Sequence, residues 1–434
     1  MSRRRTNVPL QVFLNGRLVG FLRRESSGAI DFRYNPDWLT WEHAIPVSLS
    51  MPLREDRYIG APVVAVFDNL LPDNRDIRDR MAARVHAEGS DAYSLLSAIG
   101  RDCVGALQFL PGGQDPGPAG TVTGHEVDEA EIARLLGDLR AAPLGLGDDD
   151  EFRISIAGAQ EKTALLRQNG QWFKPTGTTA TTHILKPQIG QLPNGLDLSN
   201  SVENEYFCLK LTAALGLPSA AVEMATFGVR RTLVVERFDR LWTRDGRLLR
   251  VPQEDCCQAL SIPPARKYES DGGPGMTAIL DLLRASDEPE ADQVLFLKAN
   301  IVFWLLAGTD GHAKNFSLFL SPGGRFRMTP LYDVISAQPS AHAGQIRRNR
   351  LKLAMAVGEN RHYVVGEIAP RHFVQTAARA GIGTPVVETA LAEVAVAMPG
   401  ALDNVLGALP TGFPDNVVAS ISDGIRARLR LLDR

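Results

Sequence analysis

The sequence predicts an α+β fold in two lobes, a β-rich N-terminal part followed by a mainly helical C-terminal lobe. The length of 434 residues exceeds what one hydrophobic core usually organises. Short runs of strand-like composition dominate up to about residue 240, whereas from about residue 276 the apolar pattern is helical.

The chain opens with a hairpin: Val12-Phe13-Leu14 and Leu18-Val19-Gly20-Phe21 flank Asn15-Gly16, a pair suited to a tight turn with φ > 0. Strands or loops continue through Ile45-Pro46-Val47, and helices are expected over 73–86 and 92–99. The Gly/Pro-rich stretch 111–120 reads as a surface loop, 129–136 as a short helix, and 144–150 as a second, acidic connection. The boundary between halves is placed near 140–150, giving an N-terminal α/β subdomain over 1–145 and a core over 146–434, divided into 146–260 and 261–434. Within the core, 152–156, 163–167, 182–186 and 233–238 read as strands. Residues 201–215 read as a helix, with Ser199 or Ser201 as N-cap and Gly216 closing it. A strand at 317–320 and its return at 326–328 interrupt the helical half.

Composition narrows the class. Apolar residues at 44% and charged residues at 22% are ordinary for a globular protein, and a net charge of −3 gives the chain no electrostatic case for binding nucleic acid by itself. Arg3-Arg4-Arg5 reads as a solvated tail. The cysteines at 103, 208, 256 and 257 contain no C-x-x-C pair, which argues against zinc or disulfides and for reduced thiols in a cytoplasmic protein. No signal peptide is visible, and the most apolar stretch, 294–307, carries Lys298 and Asn300 and is too short to span a membrane. It reads as a buried helix.

The chemistry concentrates in a few strings. Gly308-Thr309-Asp310-Gly311-His312-Ala313-Lys314-Asn315 follows the apolar helix and sets an aspartate five positions before an asparagine, the D-x-x-x-x-N spacing of a kinase catalytic loop. Alone, that spacing is common by chance, and a solvated loop is the better reading of it. Eighteen residues later, Leu331-Tyr332-Asp333-Val334-Ile335 places a lone carboxylate in an apolar, strand-like run, where it needs a cation or donors. Acid, strand pair, acid is the kinase order, with the later aspartate on magnesium; a helix- or turn-capping aspartate is the alternative. His312 has no second histidine at ligand spacing, so a histidine hydrogen-bonded within the loop, or near the phosphates, is favoured over a metal ligand. In Thr182-His183-Ile184-Leu185-Lys186-Pro187, Lys186 suits ATP phosphates if its face is inward, yet Pro187 makes an exposed edge strand the better reading from spacing alone. Either Glu203 or Glu205 on the next helix could pair with Lys186. Residues 155–163 (SIAGAQEKT) suit close approach to phosphate oxygens but lack the glycine spacing of a Walker loop, so a tight turn is the default.

Taken in order, FRISIAGAQEKTALL at 152–166, THILKPQIG at 182–190, SVENEYFCL at 201–209, VVERFDR at 234–240, PQEDCCQ at 252–258, KYESDGGPG at 267–275, GTDGHAKNFSLF at 308–319 and LYDVISA at 331–337 resemble the HipA family of toxin kinases over essentially the whole chain. The resemblance implies a two-lobed protein-kinase-like fold and a serine/threonine kinase toxin of a type II toxin–antitoxin pair. By matching position it implies Asp310 as catalytic base, Asn315 and Asp333 as magnesium ligands, and Lys186 on the ATP phosphates. It also implies a phosphate loop including Ala157, Gly158, Ala159, Gln160 and Lys162, with Glu236 and Phe238 offering backbone groups to adenine. Gln253, His312 and Tyr332 would line the nucleotide site, and Ser155 matches an autophosphorylated serine. The implied partners are a helix-turn-helix antitoxin, operator DNA mainly through that antitoxin, and a protein substrate, an aminoacyl-tRNA synthetase (glutamyl-type first). No membrane is implied.

Overall fold

The computed structural model describes residues 8–146, 152–158 and 160–432; Arg3-Arg4-Arg5 and Ala159 lie outside them. Strands β1 (Leu10–Leu14) and β2 (Arg17–Arg24) form the expected hairpin, with Asn15 and Gly16 at φ 46° and 79°. With β3 (Ile30–Tyr34), β4 (Tyr58–Ile59) and β5 (Leu107–Pro111) they build an antiparallel sheet of order β4-β3-β2-β1-β5. Its inner face buries Val12, Leu22, Phe32 and Phe109 against Phe67 of α1 (Ala61–Asp68). Sequence reading missed α1, whose eight residues begin at Ala61-Pro62 after Gly60 and are too short to show a period. Helix Ala92–Ile99 falls as expected. The other is shorter than 73–86: it runs Arg75–Arg84, because the Asn74 side chain accepts from Asp76 N and Ile77 N and sets its start.

The second sheet comprises β6 (Gly124–Val127), β7 (Thr163–Gln168), β8 (Gln171–Pro175), β9 (His183–Pro187), β10 (Val222–Phe227) and β11 (Arg230–Glu236), in the order β10-β11-β9-β7-β8-β6. Helix α2 (Ser201–Ala214) packs on β10 and β11. The two sheets interleave along the chain. Strand β6 and Ile132 and Leu136 of the helix Glu129–Gly137 belong to the second sheet's core, whereas Phe152, Ile154 and Ile156 return to the first.

Four local expectations fail for identifiable reasons. Residues 152–156 form no strand; Ile154 makes one isolated bridge to Asp102, and their apolar side chains serve the first core as an irregular segment. Residues 331–335 are also not a strand, because Asp333 adopts φ 57° after a single bridge from Leu331 to Ser219. Neither Ser199 nor Ser201 caps α2. Asn200 takes that position without a side-chain bond, and Gln188 Oε1 receives Val202 N at 2.9 Å instead. Gly216, at φ 77°, does close the helix. Finally, β9 is central rather than an edge, since Pro187 is only its last residue. Lys186 is 6% exposed.

The helical half is organised by α3 (Pro289–Leu306), whose Phe296, Ile301 and Trp304 are fully buried. Helices α4 (Thr384–Gly407) and α5 (Asp415–Leu429) pack against it. Among the described residues α4 alone is long and apolar enough to cross a membrane, and its Val387, Leu391, Val394 and Met398 are spent on the core. A three-stranded antiparallel sheet is formed by β12 (Gln253–Asp255), β13 (Ser317–Ser321) and β14 (Arg325–Met328), and its last two strands are the expected pair. All four cysteines are free and buried.

Candidate active site

Central placement of β9 turns Lys186 into a buried cation, and burial without a partner would be costly. Its Nζ lies 2.7 Å from Glu205 Oε1 on α2 and also donates to Asp333 Oδ1. Glu205 is thus the partner; Glu203 instead accepts from Gln188 Nε2 at 2.6 Å and faces Arg231 at 3.2 Å. Burial opposes the charge on Lys186, but the two carboxylates outweigh it and raise its pKa. Burial likewise opposes ionisation of Asp333, yet Lys186 and Lys162 hold that carboxyl well below the usual range. Glu205 is pushed up, first by burial, against the pull of Lys186.

The loop after α3 starts with Ala307 in the left-handed region at φ 53°, which swings the chain out of the helix. Asn315 Nδ2 donates to the Asp310 carbonyl at 2.6 Å, closing the turn so that both side chains point the same way. That bond orients the amide and leaves Asn315 Oδ1 as an acceptor. The Asp310 carboxylate accepts from the Tyr268 hydroxyl, and His312 Nε2 stands 3.7 Å from it. His312 is buried, neither ring nitrogen has a hydrogen-bond partner, and its pKa falls to about 4, mainly through burial. It packs edge-on against Tyr268 at 4.8 Å.

A second charge cluster fastens this loop to the first sheet's domain. Asp73 accepts from Lys314 Nζ at 2.7 Å and from Lys267 Nζ at 2.8 Å. Lys314 also reaches Asn69 O at 3.0 Å. Burial works against the Asp73 charge, but the two ammonium groups prevail and lower it to about 2. Lys162 sits across the cleft, bonded to Ala157 O at 2.9 Å, and burial lowers it to about 8. Gly158 sits at φ 108°, a conformation that L side chains rarely adopt, so glycine is favoured here.

Together these elements enclose one cleft of about 380 Å³, a nucleotide-sized volume. Asp310, Asn315, Asp333, Lys186, Lys162, Ala157, Gly158, Gln160, Glu236, Phe238, Gln253, His312 and Tyr332 all line it. Ser155 does not: it is fully buried beneath, with Oγ donating to Leu70 O at 2.8 Å. Phe238 and Tyr332 stack obliquely at 5.8 Å on the wall where β11 leaves the sheet, and Tyr332 OH donates to Lys314 O at 2.8 Å. Sequence reasoning missed Asp73, Lys267, Lys314 and Asp255. Lys267, Lys314 and Asp255 stand inside the quoted strings with no role assigned to them, and nothing in the sequence singles out Asp73.

Behind the Glu236–Phe238 wall lies a dry knot of charge. Asp102, at the end of the first domain's helix, receives Arg240 Nη2 at 2.9 Å, Arg250 Nε at 2.9 Å and Thr181 N at 3.0 Å, with Arg237 Nη1 at 3.4 Å. Arg237 also pairs with Asp239 at 2.8 Å. Burial opposes the Asp102 charge, but the three guanidinium groups hold its carboxyl far below the ordinary range.

Comparison with known proteins agrees with this architecture. The family model for the HipA-like C-terminal domain matches residues 154–402, and that for the HipA N-terminal domain matches 10–110. Y4mE of Sinorhizobium fredii, which carries a kinase name, is 34% identical over 430 residues, covering 98% of each chain. A protein of Shewanella oneidensis named serine/threonine-protein kinase toxin HipA is 27% identical over 340 residues, 75% of each. The solved complex of Shewanella oneidensis HipA with HipB and operator DNA contains a chain of the same fold, with a TM-score of 0.81 at 24% identity over 98% of both chains. The domain models in order, the full-length relative and the shared fold agree: this chain belongs to the HipA family.

Proposed function

We propose that the protein is an ATP-dependent serine/threonine protein kinase acting as the toxin of a HipBA-type toxin–antitoxin pair. The observation that carries this reading is the convergence of Asp310, Asn315, Asp333 and the Lys186–Glu205 pair on one nucleotide-sized cleft. Asp310, with its carboxylate steered by Tyr268, would accept the proton of the acceptor hydroxyl. Lys186 and Lys162 would draw the phosphates in, and the Ala157–Lys162 loop, including Ala159, would cover them. Glu236 and Phe238 would present backbone groups to adenine, and Gln253, His312 and Tyr332 would line its surroundings. Asn315 and Asp333 offer the hard oxygen donors that suit magnesium, which they would hold against the phosphates to neutralise developing charge.

Ser155 is the proposed autophosphorylation site. Because its hydroxyl is enclosed and bonded to Leu70, the segment must open before that serine reaches a phosphate, and a dianion would then keep it from returning. A HipB-like helix-turn-helix antitoxin, operator DNA through it, and an aminoacyl-tRNA synthetase as substrate (glutamyl-type first) complete the reading. Incubating the purified chain and a cell lysate with γ-labelled ATP and magnesium tests it. Label on synthetase-sized proteins and on Ser155 is expected; nucleotide binding without label on any protein would favour a kinase-shaped corepressor, and label only on small molecules a small-molecule phosphotransferase.

Lys162 makes the site pH-dependent. Its ammonium form attracts phosphate, and with its pKa near 8 that form disappears as pH rises through 8. In steady-state assays kcat/KM for ATP is therefore expected to fall across this range. Lys162→Met should show the low alkaline value at every pH, without the step.

A further inference from the structure

One stretch of the surface is unusually basic. Between Gln345 and Lys352, four cations, Arg347, Arg348, Arg350 and Lys352, stand exposed within six positions. Among the described residues, none of the four forms an ion pair or hydrogen bond with a carboxylate side chain. Elsewhere on the surface this chain commonly offsets exposed cations with acids, as in Arg57–Glu25, Arg167–Glu223 and Arg247–Asp245. Unoffset like charges repel one another, so a run of them is a standing cost unless a partner neutralises it.

Its position says where that partner would lie. On one side, Gln345 Oε1 receives Asp197 N at 3.2 Å. Asp197 is in the small hairpin 190–198, whose Leu192 and Leu198 line the cleft. On the other side, the strand that carries Lys352 is held by Ala356 N donating to Glu269 Oε2 at 2.6 Å. Glu269 adjoins Tyr268, which bonds the Asp310 carboxylate. The basic stretch thus lies in the chain between two anchors, Gln345 on the hairpin that lines the cleft and Ala356 on the residue next to Tyr268.

We propose that this stretch is a docking rim for an acidic segment of the protein substrate, flanking the residue to be phosphorylated. The inference rests on the kinase reading above and adds a substrate class to it. A folded or extended polypeptide can place glutamates and aspartates against the rim while its serine or threonine enters the cleft. A nucleic-acid backbone laid along the same arginines would cover the mouth, and the chain's net charge of −3 does not favour it.

The test separates docking from catalysis. Binding of three fluorescein-labelled peptides to the full chain is measured by anisotropy at low salt: one serine flanked by glutamates, the same with glutamines, and the same with lysines. The glutamate peptide is expected to bind at least about tenfold tighter than the glutamine one, with the advantage shrinking as salt is raised. In Arg347→Glu/Arg348→Glu/Arg350→Glu the preference should pass to the lysine peptide, and in the triple glutamine variant it should vanish, while labelling of Ser155 from ATP stays at the wild-type level. These side chains are exposed and have no side-chain partner among the described residues, so neither variant removes a packing contact. Equal binding of all three peptides, an unchanged preference in both variants, or tighter binding of a single-stranded RNA homopolymer lost in the same variants would overturn the proposal. Absence of phosphoryl transfer with charge-selective binding intact would instead strike the kinase reading and leave the docking rim standing.

Discussion

Asp310→Asn is expected to lower the turnover of phosphoryl transfer by about 10²–10⁴-fold, with the fold and nucleotide affinity nearly unchanged. The side chain is about half exposed and makes no buried ion pair, so its charge is not needed for folding. Asparagine retains an oxygen for the Tyr268 hydroxyl. The bond that closes the loop runs from Asn315 to the main-chain carbonyl of residue 310, which the substitution leaves in place. What disappears is the capacity to take a proton. Steady-state kinetics alongside a thermal melt measure both halves of the expectation: a large loss of kcat with an unaltered melting temperature. A variant with near wild-type turnover would remove Asp310 from the role of base.

Asp102→Ala is expected to be the most destabilising single change in the chain, by roughly 3–5 kcal/mol. The substitution takes the carboxylate partner from Arg250 and leaves Arg237 and Arg240, their side chains also buried, to share Asp239. It also unpairs the Thr181 donors. Asp102→Asn should fall between, because an amide oxygen still meets Thr181 while the charge is gone. Denaturant titration reads the difference as a shift in midpoint. The knot backs the Glu236–Phe238 wall, so weakened nucleotide binding should accompany the loss. Asp102, Asp73 and Asp333 also set an acid limit. Their folded pKa values lie below the unfolded range near 4, so the stability they contribute is full above that range and drains away as pH falls through the folded values, about 2 for Asp73.

Local signals were legible where neighbours in sequence decide the outcome. The Asn15-Gly16 turn, the helix closed by Gly216 and the Asp310–Asn315 loop each depend on a few consecutive residues, and each forms as read. Lys186 shows the limit of that reasoning. Pro187 suggested an edge, but strand order is set by pairing along the whole chain, and the earlier β7 and the later β11 flank β9 on both sides. The choice between Glu203 and Glu205 turned on helix rotation relative to that strand, which spacing does not reveal. The partners across greatest distance were invisible. Asp73 meets Lys267 and Lys314 over separations of 194 and 241 residues, and Asp102 meets Arg250 over 148. A charged residue in a sequence does not announce whether it is solvated or paired. The family resemblance located the cleft's residues as a set; the clamp from the first domain emerged only with the fold.

Calorimetric titration of a non-hydrolysable ATP analogue into the wild-type chain, with and without magnesium, bears most directly on the three converging side chains. A single site is predicted, tightened at least about tenfold by magnesium, with the tightening abolished in Asn315→Ala and Asp333→Asn. Affinity that is absent, or identical in all three proteins with and without the metal, would contradict the assignment of this cleft.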